Sequence, residues 1–276
     1  MINILHTEFF RLKKSKMFWA MFGVSAGLPL VSALVYMVLF GFLGSLGGAE
    51  IEINVWDYIR SVGIAEGAIG GTASVMSDAT LLSVICASIF LSRDFKNGIF
   101  RNMLLANKSR LELYLSHLVM SITIGACYLG ANFATTLLFN GAIFGFGSLT
   151  AVKVITGCIV TLAMGLVSVA LVQTTMCMFL FGTRKLAVAL ACPIAIFMVV
   201  TSFIVGFVQF YDIINIAVTG VMTTTDLSWI PLYNTALINI ADIDGALIGK
   251  ILMYNVPLAV FFGFMGWVTF RKADLK

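Results

Sequence analysis

The feature that most constrains this chain is its series of long apolar runs, which recur along the whole sequence. A helix needs about 20 consecutive apolar residues to cross the hydrocarbon core of a bilayer, and only helices and closed barrels can do so. The runs here are of that length, so the sequence predicts an all-α integral membrane protein. Six spans are expected, at about 17–43, 73–92, 113–140, 152–181, 186–208 and 247–269.

The composition of the chain supports the same class. Hydrophobic residues make up 60% of the chain and charged residues 11%, whereas a soluble domain carries about 25% charged residues. So few charges cannot cover a water-exposed surface, which excludes an ordinary soluble domain. Because the cysteines lie inside apolar runs without the spacing of metal ligands, neither a disulfide nor a metal site is expected. They are Cys86, Cys127, Cys158, Cys177 and Cys192.

The basic residues predict how the spans are oriented. With the N-terminus placed inside, only Arg60, Lys153 and Lys250 of the 17 Lys and Arg residues fall in outer segments. Because Lys and Arg concentrate in cytoplasmic loops, we expect a multi-pass protein of the cell membrane with both termini cytoplasmic. The net charge of +4 then follows from topology. No basic patch is interleaved with aromatic residues, so a nucleic acid partner is not expected.

The N-terminal residues 1–16 carry an amphipathic pattern. Ile2, Leu5, Phe9 and Leu12 recur at helical spacing, and a basic cluster follows them. This pattern is typical of a helix that lies in the membrane interface. A juxtamembrane basic segment without a fixed helix is the alternative.

The sequence lacks the motifs of a catalytic centre. It has no H-E-x-x-H or G-x-S-x-G motif, and its two histidines, His6 and His117, lie far apart. The stretch 245–250 resembles a phosphate loop, but it is one residue short and lacks the following Ser or Thr. We therefore expect a transport protein rather than an enzyme, without catalytic residues, a bound cofactor or a nucleotide-binding domain.

Charged and polar residues within the predicted spans limit the transport mechanism. The ionisable ones lie near span ends and none at a centre, which argues against a proton-coupled carrier. They are Asp78, Glu112, His117 and Lys153. Uncharged polar residues either line a transport pathway or form hydrogen bonds between helices. These are Asn132 and Asn140 in the third span and Gln173, Thr174 and Thr175 in the fourth.

The segment 93–110 between the second and third spans has the clearest local pattern. Gly98 is expected to end the second span, and residues 99–106 mix apolar and basic side chains in a way that permits a short surface helix. Ser109 and Glu112 have the spacing of a capping box, which predicts the start of the third span. A passive loop is the alternative.

At this segment the chain resembles the membrane subunits of ABC type-2 exporters. The matching residues are Asp94, Gly98, Arg101, Ser109 and Arg110, together with the basic N-terminus, the six spans, a long outer segment before the last span and the tail 270–275. The family often has Glu in place of Asp94, and Lys where this chain has Ser116 and His117.

The resemblance implies that residues 99–106 form a coupling helix. This helix would dock into a separate cytoplasmic ABC ATPase, which binds ATP and Mg. Two permease subunits, identical or homologous, would pair with the pathway between them. The expected cargo is an amphipathic or hydrophobic peptide, drug or lipid, moved out of the cell. The residues implied in coupling are Asp94, Gly98, Ile99, Phe100, Arg101, Leu104, Leu105 and Arg110.

Two other functions stay open on sequence alone, namely an ATP-independent channel or scaffold and a secondary carrier. A carrier often shows two related halves, and no internal repeat is evident here. The outer segment 209–246, with Trp229, Pro231 and Tyr233, is expected to cap the exit of the pathway.

Overall fold

The computed structural model describes residues 2–46, 78–106, 109–144, 151–219, 225–238 and 243–272. Within these ranges the chain is almost entirely helical and contains no strand, which confirms the all-α prediction. The helices are α1 (Ile2–Lys13), α2 (Lys16–Leu46), α3 (78–96), α4 (Ile99–Leu105), α5 (Arg110–Phe144), α6 (Ala151–Thr183), α7 (Leu186–Ile194), α8 (Thr201–Thr219), α9 (Tyr233–Ala236) and α10 (Gly245–Lys272), with a π-helical segment, Ala195–Val200, joining α7 to α8.

Four stretches of the described helices are long and apolar enough to cross a membrane. They are Arg110–Phe139, Val152–Thr183, Leu186–Asp212 and Gly245–Lys272, and they coincide with the last four predicted spans. The predicted span at 17–43 falls on α2. The predicted span at 73–92 falls on α3, except for residues 73–77, which lie outside the described ranges. The chain is therefore a multi-pass membrane protein, and the count of six spans stays a prediction.

Helix α6 lies at the centre of the bundle, where it packs along α10 and α5, while α2 packs on α5. Gly266 of α10 allows one of these close approaches. A Cβ atom at this position would lie 2.5 Å from the Tyr114 hydroxyl and 3.1 Å from the Cα of Met178. The absence of a side chain at Gly266 therefore lets α10 pack directly against α5 and α6.

The connection between α3 and α5 has the structure that the sequence predicts. Gly98 adopts a left-handed conformation with φ of 66°, which ends α3 and redirects the chain into α4. The Ser109 hydroxyl then accepts a hydrogen bond from the Glu112 backbone N–H at 3.1 Å, which caps α5. The segment is thus two helix ends with a short helix between them.

Helix α1 buries only part of its predicted apolar stripe inside the protein. Ile4, Glu8 and Leu12, spaced four residues apart, are buried, whereas Phe9 is 53% exposed. The predicted stripe therefore divides between the protein interior and the outer surface, and the interfacial position of α1 stays a prediction. The buried face is selected by an ion pair that Glu8 forms inside the protein, and a hydropathy pattern cannot register that pair.

Candidate functional site

Four ionisable side chains from three helices meet at one end of the bundle. We call this the basic end; it comprises α1, the α3–α5 connection, the turn at residues 184–185 and the C-terminus of α10. Glu8 and Arg11 come from α1, Asp94 from the end of α3 and His117 from the second turn of α5. The side chains of Glu8, Asp94 and His117 are completely buried. We refer to these four residues as the buried charge cluster.

Arg11 links the two carboxylates of the cluster. Its guanidinium donates hydrogen bonds to Glu8 Oε1 at 2.8 Å and to Asp94 Oδ1 at 2.5 Å. The Phe90 ring lies 5.5 Å below the same guanidinium. Charge-assisted bonds of this kind are strong, and each buried carboxylate needs one because an unpaired buried charge is very costly. Arg11 therefore fastens α1 to α3.

His117 faces Asp94 through an atom that lacks a hydrogen-bond partner. Its Nδ1 lies 2.8 Å from the backbone oxygen of Leu113, and since a carbonyl only accepts, Nδ1 carries the hydrogen. In the neutral ring Nε2 then has a lone pair, and it lies 3.4 Å from Asp94 Oδ2. Both atoms are buried and unpartnered among the described residues. Two facing acceptors leave a place for a proton or a cation.

The charge balance of the cluster disfavours a divalent metal ion at this grouping. Glu8, Asp94 and His117 offer ligand atoms that all lie within 4.8 Å of one another, a grouping able to hold a metal. However, two carboxylates and one guanidinium leave a single negative charge when His117 is neutral. A divalent cation would turn that charge into a net positive one beside Arg11. Burial is the main cause that raises the pKa of Glu8, and the charge of Asp94 raises it further.

An aromatic cluster joins α4 to these charges. The Phe100 ring lies 4.5 Å from the His117 ring and stacks on Phe95 at 4.3 Å, measured between centroids. The edges of Phe181 and Phe270 close the cluster, at 5.7 and 5.9 Å from Phe100. Phe100 is only 2% exposed. Phe100 therefore brings helix α4 into contact with α3, α5, α6 and α10.

The opposite side of α4 is open. Arg101 and Asn102 are exposed, and Leu105 is 77% exposed, although it is a large apolar residue. Leu104 packs partly against the core, and Arg110 donates a hydrogen bond to the Arg271 backbone oxygen at 2.7 Å. The residues predicted for coupling thus divide into anchors that face the bundle and side chains that face outwards. Their role in coupling stays a prediction.

Two residues predicted to line a pathway form bonds between helices. The Asn132 amide of α5 donates to the Ser25 backbone oxygen of α2 at 2.8 Å. The Gln173 amide of α6 donates to the Ser83 hydroxyl of α3 at 2.9 Å. Each amide oxygen is buried without a partner among the described residues. These side chains therefore have spare acceptors inside the bundle.

The other three predicted pathway residues differ from these two. Thr174 and Thr175 are buried, and both donate to the backbone oxygen of Leu171 within their own helix. The side chain of Asn140 lies outside the described residues. A role in lining the pathway stays a prediction for all five residues.

A second polar group lies further from the basic end, beside the segment 225–238. The Asn255 amide of α10 donates to the Ser168 hydroxyl of α6 at 3.0 Å and to the Asn234 side-chain oxygen at 3.3 Å. Nearby, Lys250 donates to Asp226 at 2.6 Å, which is the main cause that lowers the pKa of this carboxyl. These contacts tie the segment 225–238 to α10 and α6.

The segment 225–238 belongs to the predicted exit cap. Leu227 and Ile230 are buried against Val205 of α8, and Tyr233 packs on the same apolar group. Trp229, in contrast, is 48% exposed. The segment is therefore packed on the bundle with one large aromatic facing outwards, and its role as a cap stays a prediction.

Sequence reasoning did not single out Glu8, although the sequence contains a signal for it. Glu8 lies four residues after Ile4 and four before Leu12, so it shares one helical face with two apolar residues. A buried carboxylate requires a cation, and Arg11 stands one turn further along the same helix. His117 was recognised only as a residue near a span end. The side chains that meet Glu8 and Arg11 come from α3 and α5, which are distant in sequence.

Residues 4–203 match the family described as "ABC-2 family transporter protein". The match covers most of the chain and includes all four residues of the buried charge cluster as well as α4. No curated protein matches the chain. The helices that are able to span a membrane and the family match both indicate a membrane permease. The chain belongs to the ABC-2 transporter family.

Proposed function

We propose that this chain is the permease subunit of an ATP-driven exporter that receives energy through α4 from a separate cytoplasmic ATPase. Membership of the family makes the chain a permease of an ABC transporter, which works with an ABC ATPase and the lipid bilayer. The proposal adds the direction of transport, the site of coupling and the pairing of two permease subunits.

The observation that carries the proposal is the two-sided character of α4. Phe100 anchors the helix in an aromatic cluster, while Arg101 and the apolar Leu105 face outwards. An exposed leucine beside an arginine suits a protein contact, because such contacts combine an apolar centre with a charged rim. A passive loop needs neither the buried anchor nor the exposed leucine.

The buried charge cluster connects α4 to helices α1, α3 and α5. Phe100 contacts His117 of α5, and His117 faces Asp94 of α3, which Arg11 ties to α1. A push on α4 is therefore transmitted as a rigid-body motion of several helix ends, since packed side chains resist compression. The helices that carry the predicted pathway residues, α5 and α6, are among those in contact with the anchor.

The substrate class follows from the side chains within the bundle. The predicted pathway residues are uncharged amides and hydroxyls, among them Asn132 and Gln173 with their spare acceptors. Such groups suit an amphipathic cargo with hydrogen-bond donors better than an ion. An amphipathic or hydrophobic peptide, drug or lipid is therefore the proposed substrate.

Substitutions on the open side of α4 test the proposal. In the double variant Arg101→Glu/Leu105→Asp, we expect transport-coupled ATP hydrolysis in proteoliposomes with the ATPase subunit to fall by about tenfold or more, because loss of interface anchors weakens such contacts this much. The matched control is Arg184→Glu/Leu237→Asp, which changes an exposed arginine and an exposed leucine elsewhere. Coupled hydrolysis at the wild-type level in the α4 variant would refute the coupling role.

A secondary carrier is the second candidate, and the facing Asp94 and His117 atoms favour it. A buried site for one proton is what a proton-coupled carrier requires. The site lies at the basic end rather than midway along the helices, so we rank this function second. Transport driven by a proton gradient in liposomes that contain the chain without any ATPase would reverse that order.

A further inference from the structure

A cavity of about 620 Å³ opens at the corner where α1 turns into α2. It lies beside the buried charge cluster but is a separate space. Three cations line it, Lys14 and Lys16 from the corner and Arg93 from α3, and Arg11 contributes one side. The rest of the wall is apolar and includes Phe10 and Phe90.

The cavity carries uncompensated positive charge. Arg11 is paired with Glu8 and Asp94. Within the described ranges, Lys14, Lys16 and Arg93 form no ion pair with any carboxylate, and no carboxylate lines the cavity. Three cations around one space attract an anion, although Lys14 also lies over the Phe10 ring at 4.3 Å.

Exposed aromatic residues indicate the level of the cavity in the membrane. Phe9, Phe10 and Trp19 are each more than half exposed and surround the α1–α2 corner. The indole N–H of Trp19 donates to the Lys13 backbone oxygen at 2.8 Å, which fixes the ring at the corner. Aromatic side chains concentrate where the hydrocarbon meets the headgroups, and this is where lipid phosphates lie.

We propose that this cavity binds the phosphate headgroup of an anionic phospholipid, with its acyl chains lying along Phe9 and Trp19. The cations match the phosphate, and the apolar walls with the exposed rings match the glycerol and chain region. A free phosphate would use only the cations, so the apolar half of the site favours a lipid. The proposal depends on the interfacial position that the sequence predicts for α1, but not on transport or coupling.

A lipid bound in the cavity also contacts the buried charge cluster through Arg11. Arg11 is shared, since it lines the cavity and holds both Glu8 and Asp94. A bound headgroup contacts the guanidinium from its open side and the lysines of the corner at the same time. The lipid therefore adds a further link between α1, α2 and α3.

Lipid retention measured by native mass spectrometry tests the proposal. The full chain is purified in detergent with an equimolar mixture of phosphatidylglycerol and phosphatidylcholine. The test variant is Lys14→Gln/Lys16→Gln/Arg93→Gln, and the matched control is Lys13→Gln/Lys185→Gln/Arg184→Gln, which removes the same charge from exposed sites outside the cavity. Each surface cation is worth about a factor of five in binding anionic lipid, so we expect retained phosphatidylglycerol to fall about tenfold or more only in the test variant.

Three results would overturn the proposal. One is equal loss of phosphatidylglycerol in the two variants, which means that only net charge matters. Another is complete displacement of the bound lipid by millimolar inorganic phosphate, which means that the site takes a small anion. The third is wild-type lipid retention in the test variant together with loss of a co-purifying protein, which assigns the cavity to an acidic protein segment. Matching thermal unfolding of the two variants shows that each is folded.

Discussion

The two ends of the helical bundle each contain a short ion pair, and the surroundings of the two pairs differ. At the basic end Arg11 and Asp94 approach to 2.5 Å, and the Asp94 side chain is fully buried. At the opposite end Lys250 and Asp226 approach to 2.6 Å, but their side chains are 43% and 65% exposed. Equal distances therefore do not indicate equal energies, because water and salt screen the exposed pair.

The two ends therefore differ in how many helices a local change can affect. The Arg11–Asp94 pair joins α1 to α3 and contacts the α4 anchor through His117 of α5, so a change there affects several helices. The exposed pair only holds the segment 225–238 against α10, where the neutral Asn255 network provides the buried contact. Rigid coupling is therefore expected at the basic end, and local adjustment at the other.

Removing the cation at each end should give the largest contrast. Arg11→Gln leaves two buried carboxylates without a partner, so we expect a loss of about 3–5 kcal/mol in the free energy of unfolding. Lys250→Gln should have little effect, since its partner Asp226 is open to water. Unfolding in detergent can be followed with a thiol-reactive dye, because Cys86 and Cys177 are buried until the bundle opens. Similar losses in the two variants would contradict the comparison.

A neutral network should cost less than the buried charges when it is broken. Asn255→Ala leaves Asn234 and Ser168 without their shared partner, so we expect a loss of about 1–3 kcal/mol. The control is Asn97→Ala, an exposed amide, which should change unfolding little. The same dye measurement applies. A loss for Asn255→Ala that exceeds the loss for Arg11→Gln would reverse the ranking of the two ends.

Glu8→Gln should give the smallest effect, and the size of that effect depends on pH. Burial raises the pKa of Glu8 above its ordinary 4.5, so the stability from its protonated form is complete below about pH 4.5 and is lost as pH rises through the folded-state pKa. Gln mimics the protonated form at every pH. The variant should therefore match the wild type near pH 4 and unfold at a higher temperature at neutral pH.

Intrinsic tryptophan fluorescence in thermal scans from pH 4 to pH 8 measures this difference. A wild type more stable than Glu8→Gln at neutral pH would mean that the bond from Arg11 to ionised Glu8 outweighs the cost of burial. In that case both carboxylates of the cluster are ionised in the folded protein at neutral pH.

The sequence predicted the features that depend on local physics. Hydrophobic run length located the helices, and the capping residue Ser109 and the left-handed Gly98 located the ends of α5 and α3. These signals act within a few residues, so no tertiary knowledge is needed. The α4 helix was predicted at 99–106 and is observed at Ile99–Leu105 for the same reason.

The sequence did not predict the contacts that depend on which helices pack together. Glu8 is buried because Arg11 and the end of α3 lie beside it, and His117 faces Asp94 only after α5 packs on α3. The π-helical segment Ala195–Val200, just after Pro193, also escaped prediction, since proline indicates a break but not its form. Charge pairing and packing outweigh hydropathy at such positions.

The most direct measurement for the whole account is photocross-linking from the open side of α4. A benzophenone amino acid is placed at Leu105, or at Leu237 at the opposite end, in cells that contain the native partners. We predict an adduct between position 105 and an ABC ATPase subunit, identified by mass spectrometry, and none from position 237. An ATPase adduct from position 237, or its absence from position 105 when the complex is intact, would contradict the assignment of α4 as the coupling element.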